Sequence, residues 1–163
     1  RLVREAVQRV LAREQAQPTT AEFEVAAASF NLDAALPMAQ AAVAKGKELG
    51  IAIVFAAVDE AGNEILLHRM PESLLGSIAL AGDKAWSAAA FRQDTQGLGE
   101  RAKESGDLFG LQSHSTGRIC VFGGGIPVFV KGRIAGGIGV SGGTVEEDIL
   151  IVEHALRAGK DMR

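Results

Sequence analysis

Residues 136–143 run Gly136, Gly137, Ile138, Gly139, Val140, Ser141, Gly142, Gly143, and Thr144 with Glu147 follows at capping-box spacing. Apolar residues set between glycines read as a strand against which another element packs closely, because glycine presents no side chain to hold a neighbour away. The Thr144/Glu147 pair then opens a helix that Gly159 ends. The chain must therefore pass from strand to helix through a tight turn. The same segment has a second use: its backbone N–H groups and the helix dipole suit a carboxylate or phosphate, with Gly139, Ser141 and Gly142 as contacts. It is not a P-loop, because no Gly-Lys-Ser/Thr follows. The Gly137-x-Gly139-x-x-Gly142 spacing matches a dinucleotide fingerprint, but no βαβ unit surrounds it.

The 163 residues fit one domain with a real core. Tyr is absent and aromatics make up only 5%, so Ala, Val, Ile and Leu must fill much of that core. A net charge of −3 with scattered Lys and Arg argues against nucleic acid as a partner, since phosphate binding needs clustered cations. Arg101 and Lys103 sit among Glu100, Glu104 and Asp107, the pattern of a solvated face. The longest apolar runs, such as residues 51–58, are too short for a bilayer, so no membrane partner is expected. Arg1-Leu2-Val3-Arg4-Glu5 opens an amphipathic stretch rather than a secretory signal, although a start without Met is compatible with a trimmed leader. The single cysteine, Cys120, forbids an intrachain disulfide or a cysteine-rich metal site and fits a cytoplasmic location.

Periodicity predicts helices over residues 1–16 and 19–28. A third helix runs over 32–49 with Gly50 beyond its end, and Pro37 moves its start toward Ala35. Residues 51–58, a turn at Asp59 to Asn63, and residues 64–70 form a hairpin. In its return strand Ile65, Leu67 and Arg69 share one face and His68 the other. Helices over 73–91 and 94–105, a loop over 106–117, and strands over 118–122, 127–131 and 134–140 complete the chain. Runs of helices and runs of strands, rather than strict alternation, predict an α+β fold. Its central antiparallel sheet has about five strands, with helices packed on one face.

Several blocks carry a family resemblance. They are Val58-Asp59 with Gly62-Asn63, Arg69-Met70, Ser77 through Lys84-Ala85, Gly124-Gly125-x-Pro127, Gly132 through Gly143, and Glu147-Asp148. In order and spacing these resemble the GlcG/HbpS family, which includes the C-terminal domain of PduO-type proteins. The resemblance covers residues 32–158, which sets residues 1–31 apart as a helical extension ahead of a family-like domain over 32–163, and it implies a central antiparallel sheet and a symmetric homo-oligomer. It also implies either haem or another tetrapyrrole as ligand, or cofactor-free chemistry on small aromatic or hydroxy-acid compounds. The match departs from the family at Ile119-Cys120-Val121-Phe122-Gly123-Gly124-Gly125, where a proline-bearing strand end is common. The extra glycine reshapes that turn, and with it the ligand contacts expected at Gly124 and Gly125.

Two cations stand out. Lys84 lies on an otherwise small and apolar helix face, and Arg69 shares a strand face with Ile65 and Leu67. Charges so placed need partners or ligands. Asp59, Glu147 and Asp148 are the protein partners on offer. The alternative is an acidic substrate or a haem propionate, which Arg grips in the better bidentate geometry. His68, His114 and His154 show no zinc-ligand spacing, so no metal site is expected. An axial haem ligand needs no motif, and His114, in the open loop, is preferred to His68, while His154 reads as a packed or surface residue. Cys120 reads as an inert core thiol, and Ser141 lacks the G-x-S-x-G arrangement of a nucleophile. Two functions follow. One is a binding protein for haem or another planar, acidic small molecule. The other is a cofactor-free lyase or isomerase on a small aromatic acid such as hydroxylaminobenzoate, with Arg69 or Lys84 holding the carboxylate and Glu147, His114 or His68 moving protons.

Overall fold

A computed structural model describes residues 30–159. The helices expected over 1–16 and 19–28 lie outside the described residues. Helix α1 (Leu32–Leu49) starts where the Asn31 side chain accepts from the Ala34 amide, and Gly50 closes it in the left-handed conformation. Its start is not displaced to Ala35. Pro37 sits inside the helix and is exposed, so the carbonyl it leaves unbonded one turn earlier can meet water.

Strands β1 (Val54–Asp59) and β2 (Glu64–Arg69) form the expected hairpin. The Asp59 carboxylate accepts from the Ala61 and Asn63 amides and from the Asn63 side chain, and this holds the turn. Helices α2 (Leu75–Phe91) and α3 (Thr95–Ala102) follow, then two single 3-10 turns (Leu111–Ser113 and Ser115–Gly117). The chain ends in β3 (Gly125–Val130), β4 (Arg133–Ser141) and α4 (Val145–Arg157). The sheet is antiparallel with order β2-β1-β4-β3.

The sheet has four strands among the described residues, and residues 118–122 are not a strand. Ile119 and Cys120 are buried, which gives the run its strand-like appearance, but the Cys120 amide bonds to the Ser87 hydroxyl instead of a ladder. Helices also cover both faces rather than one. Val54, Ala56 and Val58 pack on Ala81, Ala85 and Ala89 of α2. Phe55, Ala57, Ile138 and Val140 pack on α1 and α4 through residues such as Met38, Ala42, Ile151 and Val152. Residues 53–58 are buried without alternation, as a strand covered on both sides requires. A bulge at Ala57/Val58 also separates Ile65 from Leu67: Leu67 packs on the α2 side and Ile65 on the other.

The capping box that opens α4 is complete. The Thr144 hydroxyl accepts from the Glu147 amide at 3.3 Å, and the Glu147 carboxylate accepts from the Thr144 amide at 2.8 Å. Thr144→Ala is expected to lower stability by about 1 kcal/mol in urea denaturation; an unchanged midpoint would show that the cap contributes nothing.

Candidate functional site

Lys84 lies one heptad beyond Ser77 on α2, and both side chains turn toward the sheet and are buried. The Lys84 ammonium donates to the Asp148 carboxylate at 2.7 Å and to the Val140 carbonyl at 2.9 Å. Lys84 and Asp148 side chains are 1% and 4% exposed, so this ion pair is out of water. The other Asp148 oxygen accepts from the Gly143 amide at 3.0 Å. The Phe122 ring lies over the ammonium, 5.0 Å from nitrogen to ring centre. Burial pushes the Asp148 carboxyl up from its ordinary range, against the pull of Lys84. One cation thus ties α2 to β4, α4 and the segment before β3.

The glycine candidates surround this junction and face protein. A Cβ on Gly124 would lie 2.8 Å from the Lys84 nitrogen, and one on Gly125 would press on the Lys84 carbonyl. The Gly125 amide donates to the Thr95 hydroxyl at 2.9 Å. A Cβ on Gly139 would collide with the Ala81 carbonyl, and one on Gly142 would lie 2.6 Å from the Ala52 carbonyl. The Ser141 hydroxyl bonds to that of Ser77 at 3.1 Å. At the start of α4 the carboxylates of Glu147 and Asp148 already accept the Thr144 and Gly143 amides, where an external anion was expected.

The remaining candidates lie elsewhere. His68 and Arg69 are exposed on β2, an edge strand. His114 is exposed at the end of the first 3-10 turn, its amide donating to the Leu111 carbonyl at 3.0 Å. His154 is half-buried on α4. No hydrogen bond or ion pair among the described residues joins any two of Glu147, His68 and His114. Cys120 is buried, and burial pushes its thiol up, away from thiolate chemistry. A cleft of about 370 Å³ between α3 and residues 121–123 has Gln96, Glu100, Lys103, Phe122 and Val145 in its wall, and no histidine. Sequence reasoning did not find two aromatic contacts: Phe122 over Lys84, and Trp86 under the Arg118 guanidinium at 4.5 Å. Neither has a local signal, because the partners lie 38 and 32 residues apart in the chain. Among the described residues no group of His, Cys, Asp and Glu could hold a metal ion, and no helix is long and apolar enough to cross a membrane.

A family model described as haem degrading protein HbpS-like matches residues 30–157. The chain belongs to the HbpS-like family. It is 42% identical over 129 residues to a 15.0 kDa protein from the dhaT–dhaS intergenic region of Citrobacter freundii, covering 79% of this chain and 91% of that protein. It is 36% identical over 152 residues to the corrinoid adenosyltransferase PduO of the same organism, covering 93% of this chain but only 45% of PduO. Among solved structures it is similar to PduOC in its haem complex, with a TM-score of 0.78 and 36% identity, covering 80% of this chain and 94% of that one. The sheet and helices described above are thus an HbpS-like fold.

Proposed function

We propose that the protein binds haem at its surface, with His114 as the axial ligand. The observation that carries this reading is the likeness to PduOC, which was solved as a haem complex, at 36% identity and a TM-score of 0.78. The residues of this chain suit such a group. His114 is exposed in a loop that also carries Phe109, 67% exposed, and the half-buried Leu111. A neutral imidazole ligates haem iron, and an apolar flank suits the macrocycle. Cys120 does not compete, being buried with its thiol pushed up. Haem, when bound, supplies an iron centre open to electron transfer or small ligands. In this reading the protein is a cytoplasmic, symmetric homo-oligomer, and a neighbouring copy covers the haem face that a chain with few aromatics leaves bare. The cofactor-free lyase alternative has no comparable likeness behind it, and the Glu147 carboxylate, one of its three candidate proton carriers, is already engaged by the Thr144 amide.

Titration with haemin is expected to give a saturable Soret shift. His114→Ala should remove most of that shift, and His68→Ala should leave it largely intact. The absence of a saturable shift would overturn the haem reading. A loss caused by His68→Ala instead would move the ligand to β2.

A further inference from the structure

Beside the close contact of α3 with residues 121–123 a cleft of about 370 Å³ opens, a volume within the range that takes small molecules. Its floor is fixed before any ligand arrives. A Cβ on Gly99 would collide with the Val121 carbonyl, and one on Gly123 would lie 2.5 Å from the Ile149 side chain. α3 and α4 therefore both rest tightly on residues 121–123. Above that floor two large apolar side chains stay in solvent: Phe122 is 39% exposed and Val145 37%. Gln96, Glu100 and Lys103 follow at helical spacing along the rim.

The electrostatics of the cleft select a ligand class. Among the described residues Glu100 and Lys103 are the only charges in its wall, and they pair with each other. Neither is left over for a charged ligand. Phe122 bears on the same point. Its ring lies over the Lys84 ammonium, which is buried, so the ring surface open to the cleft is the side turned away from that cation. The ammonium draws π density inward, and the outer side repels a second cation while still stacking on a neutral ring. One polar side chain remains. Among the described residues the Gln96 amide has no hydrogen-bond partner, and it offers a donor and an acceptor side by side.

We propose that this cleft binds a small, neutral, planar ring that carries a cyclic amide edge. The ring stacks on Phe122 and covers Val145. The Gln96 amide accepts from the ring N–H and donates to the neighbouring carbonyl, the two-bond match that one amide makes with another. Such a pairing discriminates against a ring that lacks the donor, because the Gln96 oxygen is then left unbonded beneath the ligand. The site does not rest on the haem reading, since His114 is not part of the cleft wall.

The probe is 2-quinolone, a two-ring cyclic amide, followed through the Gly99 and Gly123 amide resonances and the Phe122 ring protons. Saturable shifts are expected at all three, with the ring protons moving upfield as stacking demands. N-methyl-2-quinolone keeps the rings and loses the donor, and it should bind about tenfold more weakly. The planar ions 2-naphthoate and N-methylquinolinium should also bind about tenfold or more below 2-quinolone. Phe122→Leu should weaken 2-quinolone by about tenfold. Gln96→Leu changes an exposed side chain, so the fold survives it, and it should abolish the preference for 2-quinolone over its N-methyl derivative. His114→Ala should leave 2-quinolone affinity unchanged whatever it does to haemin, so the cleft and the haem reading fail separately. No saturable shift, equal binding of the N-methyl derivative or of either ion, or wild-type selectivity in Gln96→Leu would overturn the site.

Discussion

Gly139→Ala is expected to lower stability by about 3 kcal/mol or more in urea denaturation, an unusually large loss for one added methyl group. The new Cβ would collide with the Ala81 carbonyl and lie 2.7 Å from the Ala85 nitrogen and 3.0 Å from the Lys84 Cβ. Two of these neighbours are helix backbone, which cannot move aside as a flexible side chain can. α2 would have to back away from β4, loosening the packing of Ala81 and Ala85 on β1 and straining the Lys84 contacts. Gly137 meets the same helix at the Ala85 carbonyl, so the two glycines form one docking seam. Gly82 provides the contrast. It lies inside α2 with nothing within 4 Å of a built Cβ. Gly82→Ala should therefore stabilise the protein by up to about 1 kcal/mol through helix propensity. Similar stabilities for the two variants would mean that the seam is not close-packed.

Lys84→Met is expected to cost about 3–5 kcal/mol at neutral pH, because it leaves the Asp148 carboxylate buried without its cation. The double variant Lys84→Met/Asp148→Leu should recover most of the loss, since a buried ion pair contributes less than its breakage costs. The loss should also depend on pH. Burial already raises the Asp148 carboxyl in the folded protein, and removing Lys84 takes away the largest opposing influence. A carboxyl raised on folding contributes its stability fully below its unfolded value and loses it as pH rises through the folded one. The deficit of Lys84→Met should therefore shrink on acidification and grow toward neutral pH. Equal deficits across the acidic and neutral range, or a double variant no better than the single one, would rule out the unpaired carboxylate as the cause.

Most elements were legible because their signals are local. The Thr144/Glu147 box, Asp94 before α3, Gly50 after α1 and the Asp59 turn each act within a few residues. The errors also had local causes. Residues 118–122 look like a strand because Ile119 and Cys120 are buried, yet Ser87, 33 residues away from Cys120, takes the amide. The unalternating run of β1 did carry the sign of two covered faces, and the single-faced sheet misread it. Among the site residues, Lys84 could be recognised as a charge in need of a partner, but three carboxylates were on offer.

By itself the sequence determined that glycines 136–143 lead a strand tightly into a capped helix, and their block order placed the chain in its family. Capping, turn chemistry and glycine's freedom depend on neighbours in the chain, so those features can be read residue by residue. Only the tertiary structure decided what the glycines are for. Gly137 and Gly139 let α2 rest on β4, Gly124 leaves room for the Lys84–Asp148 pair, and α4 caps itself with its own carboxylates. Close approach and burial arise between residues far apart in the chain, here 64 positions for Lys84 and Asp148, and no local pattern records that distance.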